Sequence, residues 1–454
     1  MISSTSPTDG RLVAEYEETP RADVRKHIET AATLQAEWEQ TAIADRAGPM
    51  RRMAELLEAN RDDLARLMAD EMGKPVAQGL GEVDKCAWVC RHYADETEGM
   101  LADRHIEADR TKSYVAYRPL GVVLAVMPWN FPLWQVYRFL APALMAGNGG
   151  ILKHASNVTG CSLWIDRLAV EAGFPDGLFR SLVLPSSRVD EVLEHPSVVA
   201  ATLTGSDPAG RAVAERAGAL LKKTVLELGG SDPYIVLADA DLDEAAATCA
   251  SSRLINGGQS CISAKRFIVQ EPVVDEFTER MAAAMSKAVM GDPRDPSTTL
   301  GPMARVDLRD ELHDQVVRSV EAGAELVMGG EKPDGEGAFY PPTLLSGVTE
   351  GMAVYSEETF GPVAAVIPAK DLDDAVRIAN DTDFGLGAAI FTSDVDLGER
   401  VARDRLQAGA CFVNAFVASD PRLPFGGIKT SGYGRELADL GMKEFLNAKT
   451  VVVA

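Results

Sequence analysis

Over the first hundred positions, apolar residues recur at three- and four-residue steps, the period of a helix with one buried face. The pattern predicts helices from about Arg21 to about Met100, among them Arg46 to Asn60 and Arg61 to Met72. From about Arg104 to Arg118 the alternation shortens to that of strands. Gly121-Val122-Val123-Leu124-Ala125-Val126-Met127 is then a continuous apolar run, as a strand buried on both faces would be. Beyond it, strand-like runs at Ile151 to Leu152, Ser181 to Leu184, Val198 to Thr204 and Lys223 to Leu226 alternate with helical patterns such as Ser162 to Ala172 and Pro208 to Ala219. A second series starts near Tyr234 to Leu237 and includes Arg266 to Val269, a helix Val273 to Val289, Val363 to Ile367 and Cys411 to Val413. Strands interleaved with helices are the form of a parallel α/β sheet, so two such units are expected. Val451-Val452-Val453 closes the sequence as an apolar strand that needs an edge to pair with, another subunit being one candidate.

At 454 residues the chain exceeds one ordinary compact domain, which agrees with two or three units. Acidic residues number 68 against 45 basic ones, and a net charge of −23 repels phosphate backbones, so nucleic acid is not expected as a partner. The acidity is spread along the chain; adaptation to high salt and an ordinary acidic enzyme fit it equally well. No apolar stretch reaches membrane-spanning length, and Met1 to Pro7 has no basic region leading into an apolar core. A cytoplasmic protein without membrane contact is the expectation. Six cysteines form no disulfide framework. Cys86 and Cys90 lack a matching metal-ligand pair, and six histidines show no ligand spacing, so no metal is expected.

The chemistry concentrates in a few segments. Gly257-Gly258-Gln259-Ser260-Cys261 sets one thiol among small, flexible residues, and Glu227 ends an apolar run 34 positions earlier. A thiol nucleophile and a carboxylate that activates water are two parts of covalent acyl chemistry. Pro128-Trp129-Asn130-Phe131-Pro132 makes a rigid turn past a strand's carboxyl end, where open α/β sheets build sites. Asn130 offers an amide for an oxyanion, although a plain turn asparagine explains this segment alone. Thr204-Gly205-Ser206 reads as a strand–helix turn that lets backbone N–H groups approach a phosphate, without the usual dinucleotide glycine fingerprint. Glu358 to Pro362 joins a carboxylate and a ring at a turn. The glycine-dense run Pro424 to Glu436 is either functional or a connector.

These segments, with Lys153, occur in the order found in the aldehyde dehydrogenase superfamily, which the chain resembles over nearly its whole length. Within it the chain is most similar to bacterial succinate-semialdehyde dehydrogenases of the short type, on Leu152 to Ala155, Glu227 to Pro233, Gly301 to Arg305 and Ala418 to Asp420. The resemblance implies an α/β fold of the aldehyde dehydrogenase kind: a cofactor-binding domain at 1–100 and 119–229, a catalytic domain at 230–442, and a small β oligomerisation extension at 101–118 and 443–454. It implies Cys261 as nucleophile, Glu227 as general base, Asn130 with the Cys261 backbone N–H as oxyanion hole, and Glu436 as a proton-relay residue. For NAD or NADP it implies Trp129, Lys153, Ser156, Gly205, Ser206, Gly229, Glu358 and Phe360. A serine at 156, where NAD-preferring members often carry glutamate, leaves NADP open. For the substrate it implies Arg138 as the partner of a distal carboxylate, with Ser419 and Trp134; a surface ion pair is the plainer reading of Arg138. A second tunnel arginine of some relatives is Ile255 here, with Arg253 two residues too early, and a lysine frequent after position 138 is Phe139. The expected reaction is oxidation of succinate semialdehyde to succinate through a cysteine thioester. Another short aliphatic or carboxyl-bearing aldehyde such as glutarate semialdehyde is the alternative. A homodimer or homotetramer is expected.

Overall fold

A computed structural model describes all residues, 1–454. The N-terminal third is largely helical: Ile43–Ala59 and Val76–Met100 pack on the helix Trp134–Met145, Arg61–Met72 packs on Val76–Met100, and Arg21–Trp38 packs on the strands of the first sheet. Every residue of Trp134–Met145 is buried, in keeping with a helix that is apolar nearly all round. It lies over a six-stranded sheet in the order Gly432–Tyr433, Lys223–Glu227, Val198–Thr204, Val122–Met127, Gly149–His154, Phe179–Ser181. All neighbours are parallel except the two-residue strand Gly432–Tyr433.

The second sheet has seven strands: Glu325–Met328, Thr343–Ser346, Val363–Ala369, Arg266–Gln270, Pro233–Val236, Gly387–Phe391, Ala410–Val413, parallel apart from the first pair. A third, antiparallel sheet joins Leu446–Val453 to Lys112–Pro119 and Arg104–His105. Two parallel α/β sheets and a small antiparallel one are the fold class expected.

Three details differ from expectation. The strand at Ser181 to Leu184 stops at Ser181, because Val183 exchanges hydrogen bonds with Thr19 rather than with a neighbouring strand. The helix at Val273 to Val289 runs Val274–Met285, and Val289 turns away to bond the Thr299 hydroxyl. Part of the run after the strand Ala410–Val413 leaves the second unit well before the boundary expected at 442, although Val417 still packs in that unit's core. Gly432 and Tyr433 pair with Glu227 and Leu226, while Phe425, Leu437, Met442 and Phe445 pack in the core of the first unit. Gly387–Phe391, unmarked by a strong apolar pattern because it is mostly glycine and alanine, is a fully buried central strand.

The chain order fixes where the sheets meet. In the first sheet, successive strands run outward from Val122–Met127 to Phe179–Ser181 and then continue on its other side with Val198–Thr204. That reversal opens a crevice beyond the carboxyl ends of two adjacent strands. Glu227 ends its strand of the first sheet, and after five intervening residues Pro233 begins the second. The carboxyl edge of one sheet therefore faces the amino edge of the other.

Candidate active site

A cleft of about 450 Å³ lies between these edges. Its first wall is Pro128, Trp129 and Asn130, past the strand Val122–Met127, with Thr204 at the end of the adjacent strand and Gly205 and Ser206 past it. Its second wall is Cys261, which precedes Arg266–Gln270, with Glu358 and Phe360, which precede Val363–Ala369. Gly229 lies on the connection between the sheets. Eight of the residues expected at the site, drawn from five separated segments, thus share one cavity.

Cys261 is half-buried and faces the cleft, unlike Cys86, Cys90, Cys161 and Cys249, which are sealed in packing. The loop before it is wound tightly. Asn256, Gly257 and Gly258 all have left-handed backbone, with φ of 54°, 63° and 74°, a conformation that glycine enters freely and asparagine more readily than other residues. At Gly258 a Cβ would come within 2.2 Å of the Gly361 carbonyl, so glycine is required there. The Asn256 amide donates to the carbonyls of Asn130 and Gln259 at 2.7 and 3.0 Å, and the Asn130 amide donates to Gln259 O at 3.1 Å. These bonds clamp the Asn130 turn to the cysteine loop. The Asn130 amide keeps its second N–H, and the Cys261 backbone N–H has no acceptor within the protein. One donor is on the cysteine loop itself and the other on the turn clamped to it.

Burial pushes the Cys261 thiol up to about 12, with the cations Arg138 and Lys265 pulling the other way. Resting Cys261 is a thiol, and a base is needed to ionise it. Lys265, which sequence reasoning passed over, is fully buried. Its ammonium donates to the carbonyls of Ser260 and Cys261 at 3.0 and 2.8 Å and lies 3.3 Å from Glu358. Glu358 also accepts the Gly230 N–H at 3.0 Å. Lys265 thus ties the nucleophile's loop to the carboxylate on the same wall. Arg253 does not face a substrate passage; its buried guanidinium donates to the Gly258 carbonyl and braces the left-handed turn.

Glu227, Glu436 and Arg138 do not line the cleft. They form a buried cluster on the first sheet's edge. Glu436 is placed by the fold-back of Pro424 to Glu436, in which Phe425 and Glu436 exchange backbone hydrogen bonds at 2.7 Å. That run is a structural hairpin, not a free connector. At Gly426 a Cβ would reach within 2.6 Å of Glu227 Oε1, so glycine makes room for the carboxylate. Neither Glu227 oxygen accepts a hydrogen bond from the protein. Burial and then the neighbouring Glu436 charge push Glu227 well above the usual carboxylate range, while Arg138 and Arg435 oppose them. Glu436 is also raised by burial, against the pull of Arg138.

Arg138 departs from expectation. It is neither a surface residue nor a free tunnel cation. Its guanidinium is buried in an ion pair with Glu436, lies 3.3 Å from the Thr204 hydroxyl, and sits 4.6 Å from the centre of the Phe425 ring. The physical reason is that Glu436, desolvated beside Glu227, needs a counter-charge, and Arg138 is the cation that reaches it.

Lys153 and Ser156 lie further along the same sheet edge, outside the cleft wall. Lys153 is next to Val126 in the sheet register and 3.4 Å from the Ser186 hydroxyl; Ser156 is half-buried two residues past the strand's end. Ser419 and Trp134 meet elsewhere, around Lys85, a residue the sequence reading did not single out. His154, also missed, is buried and neutral. Its Nε2 donates to Pro132 O at 2.8 Å and its Nδ1 accepts the Ala155 N–H at 2.9 Å, which fixes the turn bearing Asn130. The signal that could have found Lys265 and His154 is position alone: each follows a site segment by a few residues.

Cofactor-binding features are present in the cleft. Ser206 stands at the N-cap of the helix Asp207–Ala219, yet its hydroxyl caps no backbone N–H, leaving first-turn donors open at the helix's positive end. Gly205 has no neighbour within 3.4 Å of a would-be Cβ, so backbone is exposed to the cavity. Trp129 and Phe360 face each other edge to face across it at 5.7 Å. At Gly229 a Cβ would collide with Glu358 at 2.4 Å. A phosphate-bearing, flat-ringed ligand suits these residues. No helix is long and apolar enough to cross a membrane.

The pattern of the aldehyde dehydrogenase family matches residues 1–451. A protein of Synechocystis sp., described as a probable NADP(+) succinate-semialdehyde dehydrogenase, is 46% identical over 453 residues, all of both chains. The NADP(+) succinate-semialdehyde dehydrogenase of Mycobacterium avium is 49% identical over 99% of this chain and 96% of its own. Among solved structures, Gox0499 superposes with a TM-score of 0.98 at 39% identity, over the whole of both chains. The succinic semialdehyde dehydrogenase of Streptococcus pyogenes in complex with NADP+ does so at 0.97 and 37%, again over both whole chains. Sequence, cleft and superposition agree, and the chain belongs to the aldehyde dehydrogenase family.

Proposed function

We propose that the protein oxidises succinate semialdehyde to succinate with NADP, and that Cys261 is the reacting nucleophile. The observation that carries the mechanism is the cleft-facing Cys261 flanked by two free N–H donors, its own and that of Asn130. The substrate and cofactor rest on full-length identities of 46% and 49% to NADP(+) succinate-semialdehyde dehydrogenases.

A water takes the Cys261 proton and passes it to solvent, the sulfur attacks the aldehyde carbon and a C–S bond forms. The carbonyl oxygen gains negative charge, and the Cys261 N–H and Asn130 amide receive it; one such donor lowers the barrier by about 3 kcal/mol. A bound nicotinamide dinucleotide supplies the hydride acceptor that leaves the acyl group as a thioester. Ser206 and the first turn of Asp207–Ala219 would hold its pyrophosphate, Lys153 and Ser156 its adenosine ribose, and Glu358 its second ribose, with Trp129, Gly205, Gly229 and Phe360 along the cleft. The Lys153 ammonium, with no carboxylate at position 156, suits a 2′-phosphate. Glu227 then takes a proton from water, the water oxygen attacks the thioester carbon, the C–S bond breaks, and the acid leaves. A raised proton affinity makes Glu227 a stronger base once it ionises. Glu436, paired with Arg138, sets the charge around Glu227.

Purified protein assayed with succinate semialdehyde, glutarate semialdehyde and butanal, each with NAD and NADP, tests the reading. The highest kcat/KM belongs to succinate semialdehyde with NADP; a preference for butanal would refute the substrate. The strand Leu446–Val453 is an edge of its sheet, with Val452 and Val453 exposed, and we assign it to pairing between subunits. Light scattering at a monomer mass would exclude that.

A further inference from the structure

The carbonyls of residues 258 to 261 are each gripped by a buried side-chain donor. Arg253 donates to Gly258 O, the Asn130 and Asn256 amides to Gln259 O, and Lys265 to both Ser260 O and Cys261 O. Carbonyls held this way are turned from the cleft into the protein. Lys265 sets the last two, and it does so from behind, fully buried and outside the cleft lining. An ammonium has three N–H groups. Three oxygens surround this one: the two carbonyls at 3.0 and 2.8 Å, and Glu358 Oε1 at 3.3 Å. Burial pushes the ammonium down, while the charges of Glu358 and Asp232 pull it up. These anions offset the cost of keeping a cation where no water reaches. A Cβ at Gly230 would lie 2.7 Å from Cys261 O, so the connection between the sheets also closes tightly on this carbonyl.

The consequence lies on the far side of the peptide. The Ser260–Cys261 peptide is trans, so its carbonyl and its N–H point in opposite directions within one plane. With Ser260 O drawn to Lys265, the Cys261 N–H points the other way and meets no acceptor in the protein. The Ser263 N–H bonds the same carbonyl at 3.2 Å. That bond is neutral and longer, and a charge-assisted bond is about twice as strong. A cation on a peptide oxygen also draws electrons from the peptide nitrogen, which makes the N–H a stronger donor. The Cys261 carbonyl has no donor besides Lys265.

We infer that Lys265 is a positioning residue for the oxyanion: by holding Ser260 O and Cys261 O it aims and strengthens the Cys261 N–H that receives the aldehyde oxygen, without touching substrate or cofactor. The inference rests on the reading of Cys261 as the nucleophile and goes beyond it by naming what sets the donor. Glu358 is the counter-ion that lets the cation stay charged. Lys265 also favours the thiolate through space, so the test has to part the two effects.

Two rates part them. One is NADPH formation in a single turnover, with enzyme in excess over succinate semialdehyde and NADP saturating; it needs both the thiolate and a stabilised oxyanion. The other is alkylation of Cys261 by iodoacetamide at the same pH, followed by the mass of the Cys261 peptide; it needs the thiolate and develops no oxyanion. Melting temperatures check folding. In Lys265→Met the single-turnover rate falls about 100-fold, the loss expected for one oxyanion donor, and alkylation falls about fivefold, as for a removed neighbouring charge. A single-turnover rate that falls no further than alkylation overturns the inference and reduces Lys265 to a charge beside the sulfur. A single-turnover rate within twofold of wild type overturns it too, including the case in which only the KM for NADP rises through Glu358. Should Lys265→Met fail to fold, Lys265→Gln is compared in the same way, with the same outcomes. NADPH formation that survives in Cys261→Ala would sink the reading of the nucleophile instead, so the two failures are distinguishable.

Discussion

The cleft in front of Cys261 is open and built from short contiguous motifs, with Asn130, Ser206, Glu358 and the thiol around a shared cavity of about 450 Å³. The cluster of Glu227, Glu436 and Arg138 is its opposite: buried, assembled from three distant segments, and crowded with charge. In the proposed mechanism the difference follows from what each must do. A cofactor and a substrate have to enter the first. A base that takes a proton from water works best where water is scarce and its conjugate acid is favoured, and the cluster provides that by desolvation and a like-charged neighbour. Arg138 keeps the two carboxylates from both becoming permanently neutral.

Removing the thiol breaks the open side most severely. Cys261→Ala lowers turnover by about 100,000-fold or more, while NADP still quenches protein fluorescence; residual turnover within tenfold of wild type would remove Cys261 from the reaction. Glu227→Gln attacks the buried side. It lowers steady-state kcat by about 1,000-fold, yet leaves a single rapid burst of reduced cofactor, because acylation precedes the step it blocks. Absence of a burst would place Glu227 earlier. Asn130→Ala costs about 100- to 1,000-fold in kcat, and an unchanged kcat would leave the oxyanion without this donor. Arg138→Met strands Glu436 without its counter-charge and destabilises the protein by about 3 kcal/mol in urea unfolding. Adding Glu436→Gln to it recovers part of that loss; no recovery would mean that Arg138 acts through packing alone.

The two regions also separate by pH. Cys261 and Glu227 are both raised above their ordinary values, and in the proposed mechanism both react as anions. Activity with saturating cofactor therefore climbs from pH 6 to pH 9, by about tenfold per unit at most for one controlling proton. Stability runs the other way for Glu227 and Glu436. Their raised proton affinity means that the folded state holds protons the unfolded chain releases, so their contribution is full at low pH and is lost as pH rises through the raised values. A rate that falls over that range would contradict the assignment of the base.

The periodic sequence determined the two α/β units, the helical N-terminal third and most strands, because each such element repeats its own apolar spacing. Val198–Thr204 and Arg61–Met72 match expectation to the residue. The open cleft was legible for the same local reason: its residues sit in short runs of proline, glycine and aromatics that follow or precede strands. Tertiary structure alone decided the rest. Arg138 paired with Glu436, Lys85 set beside Ser419 and Trp134, and residues 432–446 returned to the first unit are contacts between segments up to 345 positions apart. No periodicity encodes them, because the partner of a buried charge is chosen by proximity in the fold and by the cost of leaving that charge alone.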